Sequence, residues 1–189
     1  MQTNIYFVRH AHSTYTPDEL RRPLSERGLR DAQSVTDVLK SESIDYVISS
    51  PYKRAIQTVE GIAKLIDKEI IIEEDFKERK LAEGSVADFR EAIKKVWADP
   101  DFSWKGGESN NYAQKRGVEI TLEVLKNYEG RNIVIGTHGN IMVLIMNYFD
   151  TIFDFTFWQK LDMPDIYKLT FSGRELIGVN RIWGADNNG

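Results

Sequence analysis

Two kinds of hydrophobic pattern alternate along the chain. Residues 5–8, 46–48, 70–72 and 133–135 are unbroken apolar runs, the signature of strands buried on both faces of a parallel sheet. Between them apolar residues return every three or four positions, as on helices with one buried face: Leu29, Ala32, Val35, Val38 and Leu39, then Ala55, Ile56, Val59, Ile62, Ala63 and Ile66. Two further stripes follow the third run, one of Phe89, Ile93, Val96 and Trp97, the other of Tyr112, Val118, Leu122, Leu125 and Tyr128. Residues 141–148 are apolar nearly all round and predict a helix held between layers.

Boundary residues sharpen these elements. Ser25 is placed to cap a helix running to about Lys40. Thr16-Pro17-Asp18-Glu19 carries a helix-start signature and predicts a short helical turn, and Ser49-Ser50-Pro51 supplies a cap and a first-position proline for the next helix. Residues 166–171 and 175–182, joined at Ser172-Gly173, predict a β-hairpin, and 186–189 a frayed tail. The fold class is therefore α/β: three layers, α/β/α, with a mainly parallel sheet and a C-terminal β-hairpin. No repeat, low-complexity tract or Pro/Gly-rich linker divides the chain, so residues 1–189 are read as a single domain, with 81–109 as a candidate lid.

Composition narrows the chemistry by exclusion. The 189 residues include no cysteine, so disulfides, thiolate metal sites and cysteine nucleophiles are ruled out. No signal-peptide pattern or membrane-length apolar run is present, which predicts a cytoplasmic protein without membrane association. A net charge of -4 argues against nucleic acid as the main partner.

Two of the three histidines, His10 and His12, follow the first apolar run directly, in Arg9-His10-Ala11-His12-Ser13. The third, His138, follows the last of the predicted parallel strands. Arg54 lies in the first turn of the helix after the second run, where its side chain leans back toward the strand end. In a parallel sheet all strand carboxyl ends share one edge, so Arg9, His10, Arg54 and His138 converge. Cations gathered in this way are costly unless an anion neutralises them, which points to a phosphate or sulfate group. Taken singly, Arg54 reads equally as a solvated surface arginine and His138 as a satisfied core histidine. Ser13 adds a hydroxyl to the pocket or bonds its own loop, and His12 reads as a loop residue. Arg21 and Arg22 either contact a second anionic group or are solvated. Trp97, Phe102 and Trp104 line an apolar lid or serve only packing.

In order along the chain, Arg9-His10-Ala11, Leu24-Ser25-Glu26-Arg27-Gly28, the segment 49–58, Gly107-Glu108-Ser109 and Thr137-His138-Gly139 resemble the motifs of the histidine phosphatase superfamily, which includes cofactor-dependent phosphoglycerate mutases and small phosphatases. The resemblance implies a phosphoglycerate mutase-like fold, with His10 as the nucleophile that becomes a phosphohistidine. Arg9, Arg54 and His138 would bind the transferring phosphoryl group, joined by Ser13. Phe76-Lys77-Glu78-Arg79 resembles the segment carrying the family's proton donor, making Glu78 the candidate acid and Glu83 the runner-up. Ala11 departs from the signature glycine.

The function expected is a metal-independent phosphomonoester hydrolase, needing no cofactor and acting on a small-molecule phosphomonoester. The alternatives are phosphoglycerate mutase-type transfer and a non-catalytic phosphate-ligand-binding protein. The brevity of 81–109 favours hydrolysis over mutase chemistry. The physiological substrate and the oligomeric state are left open.

Overall fold

The structure, a computed structural model, describes residues 1–184; the predicted tail at 186–189 lies outside them. Six strands form one sheet: β1 (Gln2–Arg9), β2 (Tyr46–Ser49), β3 (Ile70–Ile72), β4 (Asn132–Thr137), β5 (Asp165–Ser172) and β6 (Glu175–Arg181), in the spatial order β3-β2-β4-β1-β5-β6. The first four in that order run parallel, and β5 and β6 continue the sheet antiparallel beyond β1 as the predicted hairpin.

Side chains alternate between the faces of β1. Ile5 and Phe7 join a core with Ile48, Ile133 and Ile135 beneath helices α4 (Asn110–Asn127) and α5 (Gly139–Phe149). Tyr6 and Val8 join a second core with Val47 and Val134 beneath α1 (Glu26–Leu39) and α2 (Lys53–Leu65). Because both faces are covered, the strands are apolar throughout rather than alternating. The remaining α-helices are α3 (Phe89–Ala98) and α6 (Phe155–Gln159), the latter in a stretch to which the pattern assigns no element, and Glu74–Phe76 form a single 3-10 turn. No helix among the described residues is long and apolar enough to cross a membrane.

Several details differ from the pattern. Residues 14–23 form a loop with a turn at 19–21 instead of a helical turn. Thr16 Oγ1 donates to the Asp18 carbonyl, Asp18 Oδ1 accepts from the Arg21 N–H, and the only large aliphatic side chain there, Leu20, is exposed, so no buried face rewards a helix. The buried stripe of α1 runs through Gly28, Ala32, Val35, Thr36 and Leu39, which leaves Leu29 one position off it and exposed. Tyr112 is displaced in the same way from Ala113 in α4, and Phe89, the first residue of α3, is also exposed. Ser25 caps α1 as expected, its hydroxyl accepting from the Gly28 N–H. Helix α2 starts two residues later than the Ser-Pro pattern suggests, with Tyr52 at its cap position and no side-chain cap.

The register aligns the strand ends that matter. Arg9 lies opposite Thr137, and Ser49 opposite Gly136, so residues 9–10, 49–50 and 137–138 emerge side by side from β1, β2 and β4. This is the carboxyl edge of the parallel part of the sheet, where open α/β folds bind ligands.

Candidate active site

His10 follows β1 and is 8% exposed. Its Nδ1 lies 2.8 Å from the Ala11 carbonyl oxygen, which can only accept, so Nδ1 carries the proton. Nε2 therefore presents its lone pair, and Arg54 Nε donates to it at 3.3 Å. Burial, followed by the Arg54 charge, lowers the His10 pKa to about 3, so the imidazole is neutral.

His138 is fully buried at the cap position of α5, its ring centre 5.2 Å from that of His10. Burial, then the repulsion it would meet from a protonated His10 and from the Arg54 charge, hold it well below the ordinary histidine range, so it too is neutral. Its Nε2 is 2.8 Å from Ser50 Oγ, while its Nδ1 is buried with no partner among the described residues. Ser50 Oγ also receives the Tyr52 N–H at 3.4 Å, and among the described residues its own hydrogen has only His138 Nε2 as acceptor. Ser50 thus donates, and the His138 proton rests on Nδ1. The serine read from sequence as a cap is committed to the imidazole instead.

Arg54 is 5% exposed, with its Nη1 donating to the Glu19 carbonyl and its guanidinium 4.8 Å from the Tyr52 ring centre. It lies buried against His10 and is not a solvated surface arginine. Thr58, one turn along α2, donates to the Arg54 carbonyl and accepts from the Ala11 N–H, tying the loop after β1 to the helix. Arg9 Nη1 donates to the carbonyls of Leu161 and Asp162 at 3.3 and 3.1 Å. That loop is in turn held by buried Asp165, which accepts from the Asp162 N–H and pairs with Arg181 Nε at 2.9 Å. Arg9 Nε is buried without a hydrogen-bond partner among the described residues and lies against Gly139, where a Cβ would come within 2.9 Å of it. A side chain at 139 would displace the guanidinium from this position.

Glu78 lies at the amino end of α5. Its Oε1 accepts from the N–H groups of Arg79 and Ile141 at 2.8 and 2.9 Å, and Oε2 from that of Asn140 at 3.1 Å. Its charge acts on both Arg9 and Arg54. The segment carrying it is clamped by Arg116, which donates to the carbonyls of Asp75, Lys77 and Glu78 and forms a two-pronged pair with Glu108 at 2.7 and 2.9 Å. Gly107 precedes Glu108 because a Cβ there would lie 2.1 Å from the Leu81 carbonyl oxygen. Ser50 and Arg116 are not identified as site residues by the sequence reading. For Arg116 the signal available was a charged residue on the buried stripe of α4.

Glu83 is exposed, packed against Gly106 with its N–H on the Lys105 carbonyl, and makes no contact with the histidines or site arginines. Ser13 is half-buried in a β-bridge with Leu24, and its hydroxyl makes no hydrogen bond to another described residue. His12 is exposed and bonds Ser25 Oγ at 2.8 Å. Ala11 is fully buried against Leu24 and Ala32 without a positive φ, so nothing in its conformation demands glycine. Among the described residues no group of three or more His, Cys, Asp or Glu is arranged to hold a metal ion.

A neutral imidazole with its lone pair against a guanidinium, beside a second buried imidazole and further arginines, is an arrangement suited to holding a phosphoryl group. The chain belongs to the histidine phosphatase superfamily (branch 1), whose family model matches residues 5–179, and is an enzyme of that kind. It is 29% identical over 154 residues to phosphoglycerate mutase-like protein 4 of Arabidopsis thaliana, covering 73% of this chain and 67% of that protein. It is 29% identical over 147 residues to phosphoserine phosphatase 1 of Hydrogenobacter thermophilus, covering 71% and 70%. The fold matches that of a mycobacterial glucosyl-3-phosphoglycerate phosphatase with a TM-score of 0.77 at 17% identity, covering 96% of this chain and 97% of the other. It matches a phosphoserine phosphatase of Entamoeba histolytica, in complex with phosphoserine, with the same TM-score at 22% identity, covering 96% and 98%.

Proposed function

We propose that the protein is a metal-independent phosphomonoester hydrolase acting through a phosphohistidine at His10. The observation that carries this reading is the His10 tautomer: Nδ1–H is fixed on the Ala11 carbonyl and the Nε2 lone pair is directed into the cationic site. In the first step Nε2 attacks phosphorus, the bond to the ester oxygen breaks, and the leaving alkoxide takes a proton from Glu78, which enters the step protonated because the phosphoryl dianion opposes its charge. Oε2, with a single 3.1 Å bond to Asn140, is the carboxyl oxygen with a lone pair to spare for that proton. In the second step the Glu78 carboxylate takes a proton from water, the oxygen attacks phosphorus, and the N–P bond breaks to release phosphate and restore His10. Arg9, Arg54 and the His138 Nδ1–H bind the equatorial oxygens as their charge changes, which is where phosphoryl-transfer enzymes lower the barrier most. Arg9 Nε and His138 Nδ1, two of the five buried side-chain donors that have no hydrogen-bond partner among the described residues, support that assignment. Ser13 belongs to the pocket wall.

In this reading residues 1–189 act as one domain and 81–109 form a lid on the leaving-group side. The lid would be hinged where the backbone of residues 80–83 bonds that of 105–108. A phosphoserine phosphatase and a phosphoglycerate mutase-like protein stand among the relatives, so phosphoserine and phosphoglycerates belong in the substrate screen. The test is phosphate release from a panel of phosphomonoesters in excess EDTA, with mutase activity followed in parallel. The proposal expects turnover unaffected by EDTA; activity that vanishes on chelation, or transfer only between phosphoglycerates, would contradict it.

A further inference from the structure

Among the described residues, one acidic side chain pairs directly with the arginines around His10. Glu19 Oε2 is 3.1 Å from Arg54 Nη2, and Glu19 Oε1 is 2.8 Å from Arg22 Nη2. Arg22 is the second of the two arginines in its loop and unlike the first. The Arg21 side chain is 84% exposed and lies near Asp18, whereas that of Arg22 is 16% exposed, with Nε buried and without a partner. The Arg22 charge is also among those acting on His10 and on Arg54.

The backbone beneath Glu19 is pinned. Its carbonyl accepts from Arg54 Nη1, and the Leu20 carbonyl accepts from the Lys53 N–H at the start of α2. Its carboxylate is different, standing on a side chain that is 56% exposed and free to swing into solvent. Resting on the reading of this site as a phosphoryl-binding one, we propose that Glu19 is an internal counter-ion exchanged for the phosphoryl group on binding, and that Arg22 thereby becomes a phosphoryl-binding residue.

Electrostatics set the direction of the exchange. Clustered guanidinium groups repel one another and are stabilised by any anion within contact distance. A carboxylate brings one charge and two oxygens, and because its stem is exposed it is released cheaply. A phosphate dianion brings more charge and more acceptor oxygens to the same donors, so it wins the competition. A carboxylate that stayed in place would share its arginines with a like charge. Glu19 therefore lowers the cost of the empty site and weakens the affinity of the filled one.

Calorimetric titration with inorganic phosphate tests this on the whole chain, using the parent protein, E19Q, Glu19→Ala and R22Q, with hydrolysis measured alongside. Both Glu19 substitutions should tighten phosphate binding by about three- to tenfold, a gain that shrinks at high salt. R22Q should weaken it by about tenfold or more. A parent protein that binds and hydrolyses, with Glu19 variants that bind no tighter or an R22Q variant that binds equally well, overturns this inference alone. A parent protein that neither binds phosphate nor hydrolyses any ester overturns the reading of the site, and this inference with it.

Discussion

Replacing Arg116 by methionine removes the clamp under the proposed acid while keeping an apolar stem of similar reach in α4. The guanidinium is 9% and its partner Glu108 15% exposed. Five hydrogen bonds are lost, two to Glu108 and one each to the carbonyls of Asp75, Lys77 and Glu78. Breaking a buried pair costs about 3–5 kcal/mol because the survivor is left unpaired. Glu108 retains the Lys80 N–H at 2.9 Å, so the lower end applies, about 3 kcal/mol. For a chain of this size that lowers Tm by about 6–12 °C. Acid should erase part of the difference. Burial alone would raise the Glu108 pKa, but the hydrogen bond from Arg116, the Lys80 N–H and the Arg116 charge outweigh it and hold the carboxyl below its ordinary 4.5. A depressed carboxyl pKa contributes stability that is fully present above the unfolded value and lost as pH falls through the folded one. Urea unfolding of parent and Arg116→Met should therefore show the full gap at pH 7 and a narrowing gap as the pH is taken below 4.5. A gap under about 1 kcal/mol at neutral pH, or one that widens in acid, would refute the reasoning.

Three other outcomes follow from the site. With the His10 pKa lowered to about 3, its imidazole is about 99% neutral at pH 5, so an NMR titration of the His10 ring should show no protonation between pH 8 and 5; a midpoint near 6.5 would contradict the assigned state of His10. Ser50→Ala frees the His138 ring from its one hydrogen bond and should cut kcat by about tenfold while Tm moves by less than about 5 °C, measured by steady-state kinetics beside thermal unfolding. Ala11→Gly removes a fully buried methyl and adds backbone freedom, so it should cost about 1 kcal/mol in urea unfolding and leave turnover within about twofold.

Much of the fold is legible because its signals are periodic and redundant. Buried parallel strands must be apolar on both sides, which makes 5–8 and 133–135 conspicuous, and Ser25 caps the helix its position predicts. Arg9, His10, Arg54 and His138 are placed together by topology alone, since strand ends in a parallel sheet share an edge. What is hidden depends on three-dimensional partners. Ser50 has the residue type and position of a helix cap, and only the His138 imidazole beside it redirects its hydroxyl. Glu78 and Glu83 stand in one charged loop and are separated only by the amino end of α5, which receives Glu78 and not Glu83. Arg116 falls among apolar residues on α4, and nothing local says that its partner Glu108 lies eight residues earlier across a turn. The Thr16-Pro17 signature fails because local capping chemistry cannot make a helix where there is no face to bury.

The central claim is that phosphate passes through His10. Acid-labile, base-stable phosphohistidine distinguishes that route from direct attack by water, so the decisive measurement is rapid quench of the parent protein and of His10→Ala with a phosphomonoester labelled in its phosphoryl group. The account predicts protein-bound label with the stability of a phosphoramidate, formed no more slowly than product and absent, together with turnover, from His10→Ala. Turnover retained by His10→Ala, or hydrolysis by the parent with no label on protein at any time, would contradict it.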